Sequence, residues 1–311
     1  MKPEKGDILT QPISRREILK LTGIGGLGLM LGSGGTWIAS KTWRAKESSS
    51  NVIPYYGNYQ AGIITPAQDF VCFASLDVVS SRLSEVRDLF REWTEAAARM
   101  STGNTAGEES KLALVPPTDT GEAVGLSASR LTVTFGAGAT FFRKDGADRF
   151  GLDAKQPAML TDIPAFSGDN LQPEWCGGDL CIQACADDPQ VAFHAVRNLI
   201  RIGRGIVTVR WMQSGFQRTA QADPQKGTPR NLLGFKDGTG NPDVNNAQKM
   251  KQVVWSQAND RVPWMVNGSY MVVRRVQFRI EIWDRTTLQE EENTFGRHRA
   301  SGAPLGMKNE F

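Results

Sequence analysis

Apolar residues in the segment 69–97 recur with two different periods. In segment 69–78 they occupy every second position, which is typical of a strand with one face buried. These residues are Phe70, Cys72, Ala74 and Leu76. The next segment has apolar residues at helical spacing, namely Leu83, Val86, Phe90, Trp93 and Ala97. We expect Ser80 or Ser81 to cap this helix, with Glu85 in its first turn.

A second unit repeats this pattern after a long loop. Residues 101–129 are rich in Gly, Thr, Ser and Pro and predict a loop, which precedes a strand at 131–135. Residues 179–186 predict a strand, 188–203 a helix, and 207–211 another strand. This β-α-β-β rhythm favours an α+β fold of the ferredoxin-like type, with helices on one face of an antiparallel sheet.

Nearer the C-terminal end, residues 270–276 alternate in the manner of a further strand. A helix is predicted over 277–283, and another helix ends near Phe295.

Composition and charge exclude several classes of protein. The chain has 311 residues, of which 40% are hydrophobic and 22% charged, so it is not disordered throughout. It has 36 Lys and Arg against 33 Asp and Glu, a net charge of +3. Because this balance is nearly even and no basic stripe is visible, nucleic acid is not an expected partner. Four cysteines are too few for a disulfide scaffold.

The first forty residues have the layout of an export signal. Arg15 and Arg16 precede a weakly apolar stretch at 21–39 that contains many glycines. This arrangement predicts a twin-arginine signal over 1–40, followed by a polar linker at 41–54. The alternative is an uncleaved membrane anchor. The twin-arginine route carries folded proteins, often with a cofactor already inserted, and therefore favours a cofactor-binding protein in the periplasm or another extracytoplasmic space.

The most distinctive motif is the loop 234–242, with the sequence Gly-Phe-Lys-Asp-Gly-Thr-Gly-Asn-Pro. Its glycines allow the backbone to approach a flat ligand closely, and they bracket a single acid, Asp237. Spacing alone favours an ordinary Asp-Gly turn followed by Asn-Pro over a ligand site.

The other groups with potential chemistry give weaker signals. Cys176, Cys181 and Cys185 lack the spacing of a zinc site, and we interpret Cys181 and Cys185 as small buried strand residues. A disulfide after export remains an alternative. His194 shares its helix face with Arg197 and Arg201, which predicts a solvated side chain. His298 stands between two arginines and is expected on a surface loop.

Several of these segments together resemble the dye-decolourising haem peroxidases, in particular the exported deferrochelatase/peroxidase branch associated with bacterial iron uptake. The resemblance covers about residues 55–311. The matching segments are 60–63, 65–68, 120–136, 187–198, 234–242, 283–285, 295–297 and 301–305.

The resemblance implies a fold, a cofactor and a set of site residues. It implies tandem ferredoxin-like domains at 55–215 and 216–311, the second incomplete at the C-terminus, and a haem b cofactor. Asp237 becomes the expected catalytic acid–base residue. Residues expected against the haem edge or its propionates are Phe235, Lys236, Asp237, Gly238, Thr239 and Arg297.

In this family the histidine that binds the haem iron and the distal arginine both follow the Gly302–Leu305 segment. They are therefore expected beyond Phe311, so the resemblance implies a C-terminally truncated member with no metal ligand in the printed sequence. His298 falls where the family has no iron ligand.

The resemblance implies three alternative functions. The first is a peroxidase that reduces hydrogen peroxide while oxidising bulky donors such as dyes. The second is a haem-binding deferrochelatase that releases iron from haem in concert with iron-uptake proteins. The third is an inactive remnant that lacks the axial histidine. A homo-oligomer is expected by analogy alone.

Overall fold

Four antiparallel strands form the main sheet of the protein, for which a computed structural model describes residues 51–109, 112–223, 227–257 and 262–311. The predicted export signal and most of the linker lie outside these ranges. In chain order the strands are β1 (Phe70–Val78), β2 (Thr132–Ala137), β3 (Arg143–Lys144), β4 (Ala147–Asp148), β5 (Leu180–Ala186) and β6 (Val207–Phe216). The helices are α1 (Leu83–Met100), α2 (Ala139–Phe142), α3 (Pro189–Ile202), α4 (Ala247–Val253), α5 (Ile280–Trp283) and α6 (Leu288–Phe295).

The order of strands across this sheet is β2-β5-β1-β6, and every neighbouring pair is antiparallel. With α1 after β1 and α3 after β5, this is the ferredoxin-like topology that the sequence predicts. Ala74 of β1 lies opposite both Ile182 of β5 and Met212 of β6, so β1 is a central strand.

Helices α1 and α3 cover one face of the sheet and close the core. Trp93 of α1 is fully buried, and its indole Nε1 donates to the carbonyl oxygen of Leu199 in α3 at 2.7 Å. Its ring stacks on Phe135 of β2 at 5.3 Å between centroids. Asp188 caps α3, because its carboxylate accepts from the backbone N–H groups of Gln190 and Val191.

The predicted serine cap of α1 is wrong. The N-cap residue is Arg82, which makes no side-chain capping bond. Ser80 instead accepts a hydrogen bond from the backbone N–H of Arg82 at 3.0 Å and donates to the Glu85 carboxylate. The serine therefore forms a turn before the helix, so the helix begins later than its polar residues suggest.

The strand predicted over 270–276 is also wrong, because this segment is exposed and pairs with no strand in the part of the chain that the structure describes. Alternation sets the direction of side chains, whereas a strand also needs a neighbouring backbone. Side chains hold the segment instead. Arg274 pairs with Asp169 at 2.7 Å, and the Arg275 guanidinium lies 3.8 Å from the centre of the Trp175 ring. The helix predicted after it is limited to α5.

None of the helices in the described part of the chain has the length and apolar character needed to span a membrane.

Candidate functional site

The glycine-rich loop 234–242 is anchored by one aromatic side chain. Phe235 is 1% exposed and stacks on Phe295 of α6 at 4.1 Å with an interplanar angle of 9°. Trp283 meets Phe235 edge-on at 6.1 Å and Phe295 at 5.6 Å. Because the Phe235 side chain is committed to this cluster, any contact it makes with a ligand is through its backbone.

Backbone contacts fix the loop around this anchor. The Asn231 carboxamide oxygen accepts from the backbone N–H groups of Leu233 at 3.0 Å and Phe235 at 3.2 Å. The Asp237 N–H donates to the Pro229 carbonyl at 2.8 Å. Gly234 has φ +86°, and a Cβ there would lie 3.0 Å from the Arg299 guanidinium, so both conformation and space favour glycine.

A pocket of about 270 Å³ opens beside the loop. It is lined by Asn231, Lys236, Asp237, Gly238, Thr239, Gly240, Asn241, Phe295 and Arg297. The Asp237 side chain is exposed on its wall, and within the described ranges its carboxylate has no hydrogen bond or ion pair. The wall thus combines glycine backbone with an uncommitted acid, an arrangement that can exchange protons with a ligand lying against it.

A second segment, 296–310, lies along the loop and joins it by side-chain contacts. The Lys236 ammonium pairs with the Glu310 carboxylate, whose other oxygen accepts from Thr239 Oγ1 at 2.9 Å. Gly302 has φ +78°, and a Cβ there would lie 2.5 Å from Lys236 Cδ. The lysine stem therefore packs directly on the backbone of segment 296–310.

One arginine connects these segments, and a second lies within segment 296–310 beside the pocket. Arg230 donates through Nη1 to the carbonyl oxygens of Gly234 at 2.9 Å and Arg299 at 2.6 Å. Arg297 donates to the Gly302 carbonyl at 2.9 Å and also lines the pocket. A guanidinium has five N–H donors, so Arg297 retains others for an anionic ligand.

Electrostatics keep Glu310 ionised. Its contacts with Lys236, Thr228 and Thr239 lower the pKa of the carboxyl to about 2. The charge on this residue is therefore constant at any pH where the protein would work.

The two histidines both lie off the pocket. The prediction that His194 is solvated is wrong, because it is 3% exposed and its Nε2 lies 2.9 Å from an oxygen of Asp119. This partner comes from the loop that precedes β2, 75 residues away, so helical spacing gave no sign of it. His298 is a surface residue as expected, with Nδ1 2.9 Å from Glu292.

Asp119 is the centre of a buried polar cluster around His194. Burial disfavours its charge, but hydrogen bonds from His194 and from the backbone N–H groups of Ala106 and Gly121 outweigh this cost and hold its pKa below the usual value. Such a satisfied carboxylate stabilises the fold of the loop.

The cysteines carry no site in the described residues. All four are free thiols, and burial raises the pKa of Cys181 and Cys185 to about 11. Thiols of this kind are poor nucleophiles and ligands. Across the described ranges, no group of three or more His, Cys, Asp or Glu side chains could hold a metal ion.

The sequence motif captured most of this pocket and missed part of it. Lys236 through Asn241 belong to the glycine-rich motif. Asn231 and Phe295 line the pocket from outside this motif and were not predicted as site residues, because only folding brings them to the loop.

Comparisons with known proteins place this geometry in a known class. The family model "Dyp-type peroxidase, N-terminal" matches residues 60–217, and "Dyp-type peroxidase, C-terminal" matches residues 228–311. Deferrochelatase of Escherichia coli O157:H7 is 40% identical over 305 residues, covering 96% of this chain and 70% of that protein. The Shigella flexneri deferrochelatase is 39% identical with the same coverage.

Solved structures give the same result. A DyP-type peroxidase of Streptomyces coelicolor aligns with a TM-score of 0.73 and 34% identity, over 85% of this chain and 68% of that one. Ferric DtpA of Streptomyces lividans gives the same values.

The chain has a ferredoxin-like α+β fold, and both family models match it. It is therefore an enzyme of the peroxidase class. More narrowly, the chain belongs to the Dyp-type peroxidase family.

Proposed function

We propose that the protein is a haem b-dependent peroxidase that reduces hydrogen peroxide and oxidises bulky donors, with Asp237 as its acid–base residue. The observation that carries this proposal is the Asp237 carboxylate, which has no partner in the described residues and lies on a glycine-lined wall in a chain of this family. A carboxylate held elsewhere by donors could not move a proton so readily.

The wall fits one face of a flat, anionic cofactor. Gly238 and Gly240 offer backbone without side chains, and a Cβ at Gly240 would meet nothing within 4 Å. Phe235, Lys236 and Thr239 would border the haem edge through the backbone. Arg297 would hold a propionate with its remaining donors. In this proposal the pocket wall that carries Asp237 would be the acid-bearing side of the cofactor site.

The chemistry expected of these residues is proton transfer. Haem, when bound, supplies the redox chemistry and the activation of peroxide. Asp237 would accept a proton from one oxygen of hydrogen peroxide and deliver it to the other, which leaves as water when bound haem supplies the two electrons for cleavage of the O–O bond. Positioned proton transfer of this kind contributes about 10²–10⁴-fold to a rate.

Replacement of Asp237 tests this role directly. Haemin titration of the wild type should give a sharp Soret band that changes on addition of peroxide. Asp237→Asn should keep the band and slow the peroxide reaction by about 10²–10⁴-fold. Asp162→Asn, at an exposed loop position, is the matched control. A spectrum like that of free haemin would instead identify the remnant alternative, and unchanged kinetics in Asp237→Asn would remove this residue from its role.

A second function, deferrochelation, is favoured by the names of the relatives, which are 39–40% identical. In this case the protein would release iron and leave the porphyrin intact, and iron-uptake proteins would be its partners. Incubation with haem followed by extraction would then yield metal-free protoporphyrin. Recovery of haem alone would reject this function and leave the peroxidase proposal standing.

We also propose export through the twin-arginine route to the periplasm, which rests on Arg15 and Arg16 ahead of the weakly apolar stretch. Replacing both arginines by lysine should retain the protein in the cytoplasm on cell fractionation, whereas continued export would contradict the proposal. Homo-oligomerisation is a further proposal by analogy, which light scattering can test.

A further inference from the structure

We propose that Glu310 is a positioning residue that holds the glycine-rich loop in the conformation presenting Asp237 to the pocket. This inference deepens the proposed function and rests on it for the role of Asp237. We call the contacts of the Glu310 carboxylate with Lys236 and Thr239 the clamp, and they form within the chain in the absence of a cofactor.

The Glu310 carboxylate contacts residues on both sides of Asp237 in the loop. Glu310 Oε2 pairs with Lys236, the residue before Asp237, and Oε1 accepts from Thr239, two residues after it. Both side chains are thus bound to one carboxylate, while the Asp237 carboxylate between them has no partner in the described ranges. The Asp237 N–H donates to Pro229 at 2.8 Å and is the third fixed point.

The loop needs such a clamp because its own sequence favours disorder. Gly238 has φ +108°, and a Cβ built at Gly240 would meet nothing within 4 Å. Because neither residue has a side chain, both have wide conformational freedom. Restricting this freedom costs entropy, which contacts from outside the loop must offset. Glu310 supplies two of them, to Lys236 and Thr239, and the backbone of Gly302 packs against the lysine stem.

The position of this ion pair separates it from ordinary surface pairs. The side chains of Lys236 and Glu310 are 22% and 10% exposed, whereas those of Arg82 and Glu85 are 72% and 32% exposed. Partial removal from water reduces the screening that makes surface pairs weak. The low pKa of Glu310, about 2, keeps the clamp closed in acid.

Hydrogen exchange of the haem-free chain measures the clamp. In Glu310→Gln, amides of residues 235–241 should exchange roughly tenfold faster, as expected for loss of a charged hydrogen bond. Exchange in β5 should stay unchanged. Glu281→Gln, an exposed carboxylate on α5, is the matched control and should behave as the wild type. The charge swap Lys236→Glu with Glu310→Lys should restore slow exchange.

Two results would overturn the clamp: unchanged exchange in Glu310→Gln, or acceleration spread over the whole domain, which would show general destabilisation. In haemin-loaded protein, Glu310→Gln should lower the peroxide rate while the haemin dissociation constant stays within about twofold of wild type. If the chain binds no haemin yet the loop loosens, the clamp stands and the proposed function falls. If the loop loosens and the peroxide rate is unchanged, Glu310 has no positioning role.

Discussion

At the scale of single residues, the same chemical group has different uses in two places. The Asp119 carboxylate is buried and accepts hydrogen bonds from His194 and two backbone N–H groups. Protonation of this carboxylate would therefore weaken contacts that stabilise the fold. The Asp237 carboxylate is exposed on a pocket wall with no partner among the described residues. Only the second is free to exchange protons with a substrate.

Substitution of Asp119 should therefore affect stability. Asp119→Asn replaces the charged acceptor of His194 and of two backbone N–H groups by a weaker one and should lower the free energy of unfolding by about 2 kcal/mol. Urea denaturation measures this change, with Asp162→Asn as the control. A loss equal to that of the control would show that the pair with His194 contributes little.

At the scale of elements, the functional loop depends on α6. Phe235 joins the loop to Phe295 and Trp283, while Glu310 and Arg230 join it to the segment after the helix. The loop has little apolar content apart from this phenylalanine. Its position is thus set by packing against another element.

Phe235→Ala should release the loop from this element. Loss of a fully buried phenylalanine costs about 3–5 kcal/mol, part of it as a cavity beside Phe295. We expect faster proteolytic cleavage within 227–245 and a lower melting temperature. Phe193→Ala, at an exposed position of α3, is the control. Resistance to protease equal to that of the control would contradict the anchoring role.

At the scale of the whole molecule, ionised carboxylates make the fold sensitive to acid. The pKa values of Asp119, Asp179 and Glu310 lie below their usual values in the folded protein. For Asp179 burial opposes the charge, and hydrogen bonds from Arg149 and Thr140 outweigh it. Because the folded state holds these protons more weakly than the unfolded chain, protonation favours unfolding.

Stability should therefore be constant between about pH 5 and pH 7 and fall as the pH drops from about 4 toward 2. Urea midpoints measured between pH 7 and pH 3 test this expectation. Asp119→Asn should reduce the acid loss, because one of the depressed groups is gone. A midpoint that is independent of pH over this range would contradict the assignment of these charges.

The sequence by itself determined the first half of the fold. Period-two alternation in 69–78 and 179–186, and helical spacing in the two segments between strands, led to β1, β5, α1 and α3 because burial of one face imposes those periods. The glycines around Asp237 marked a loop that can approach a ligand closely, and the family resemblance made it the candidate site; in the structure this loop lines the pocket.

Only the tertiary structure decided the contacts made across long sequence distances. His194 meets Asp119 from 75 residues away, and Glu310 reaches Lys236 from 74. Segment 270–276 has the alternation of a strand but lacks a neighbouring backbone in the described structure. Local pattern determines which way side chains point, whereas partners for a charge or a strand are fixed when distant segments pack together.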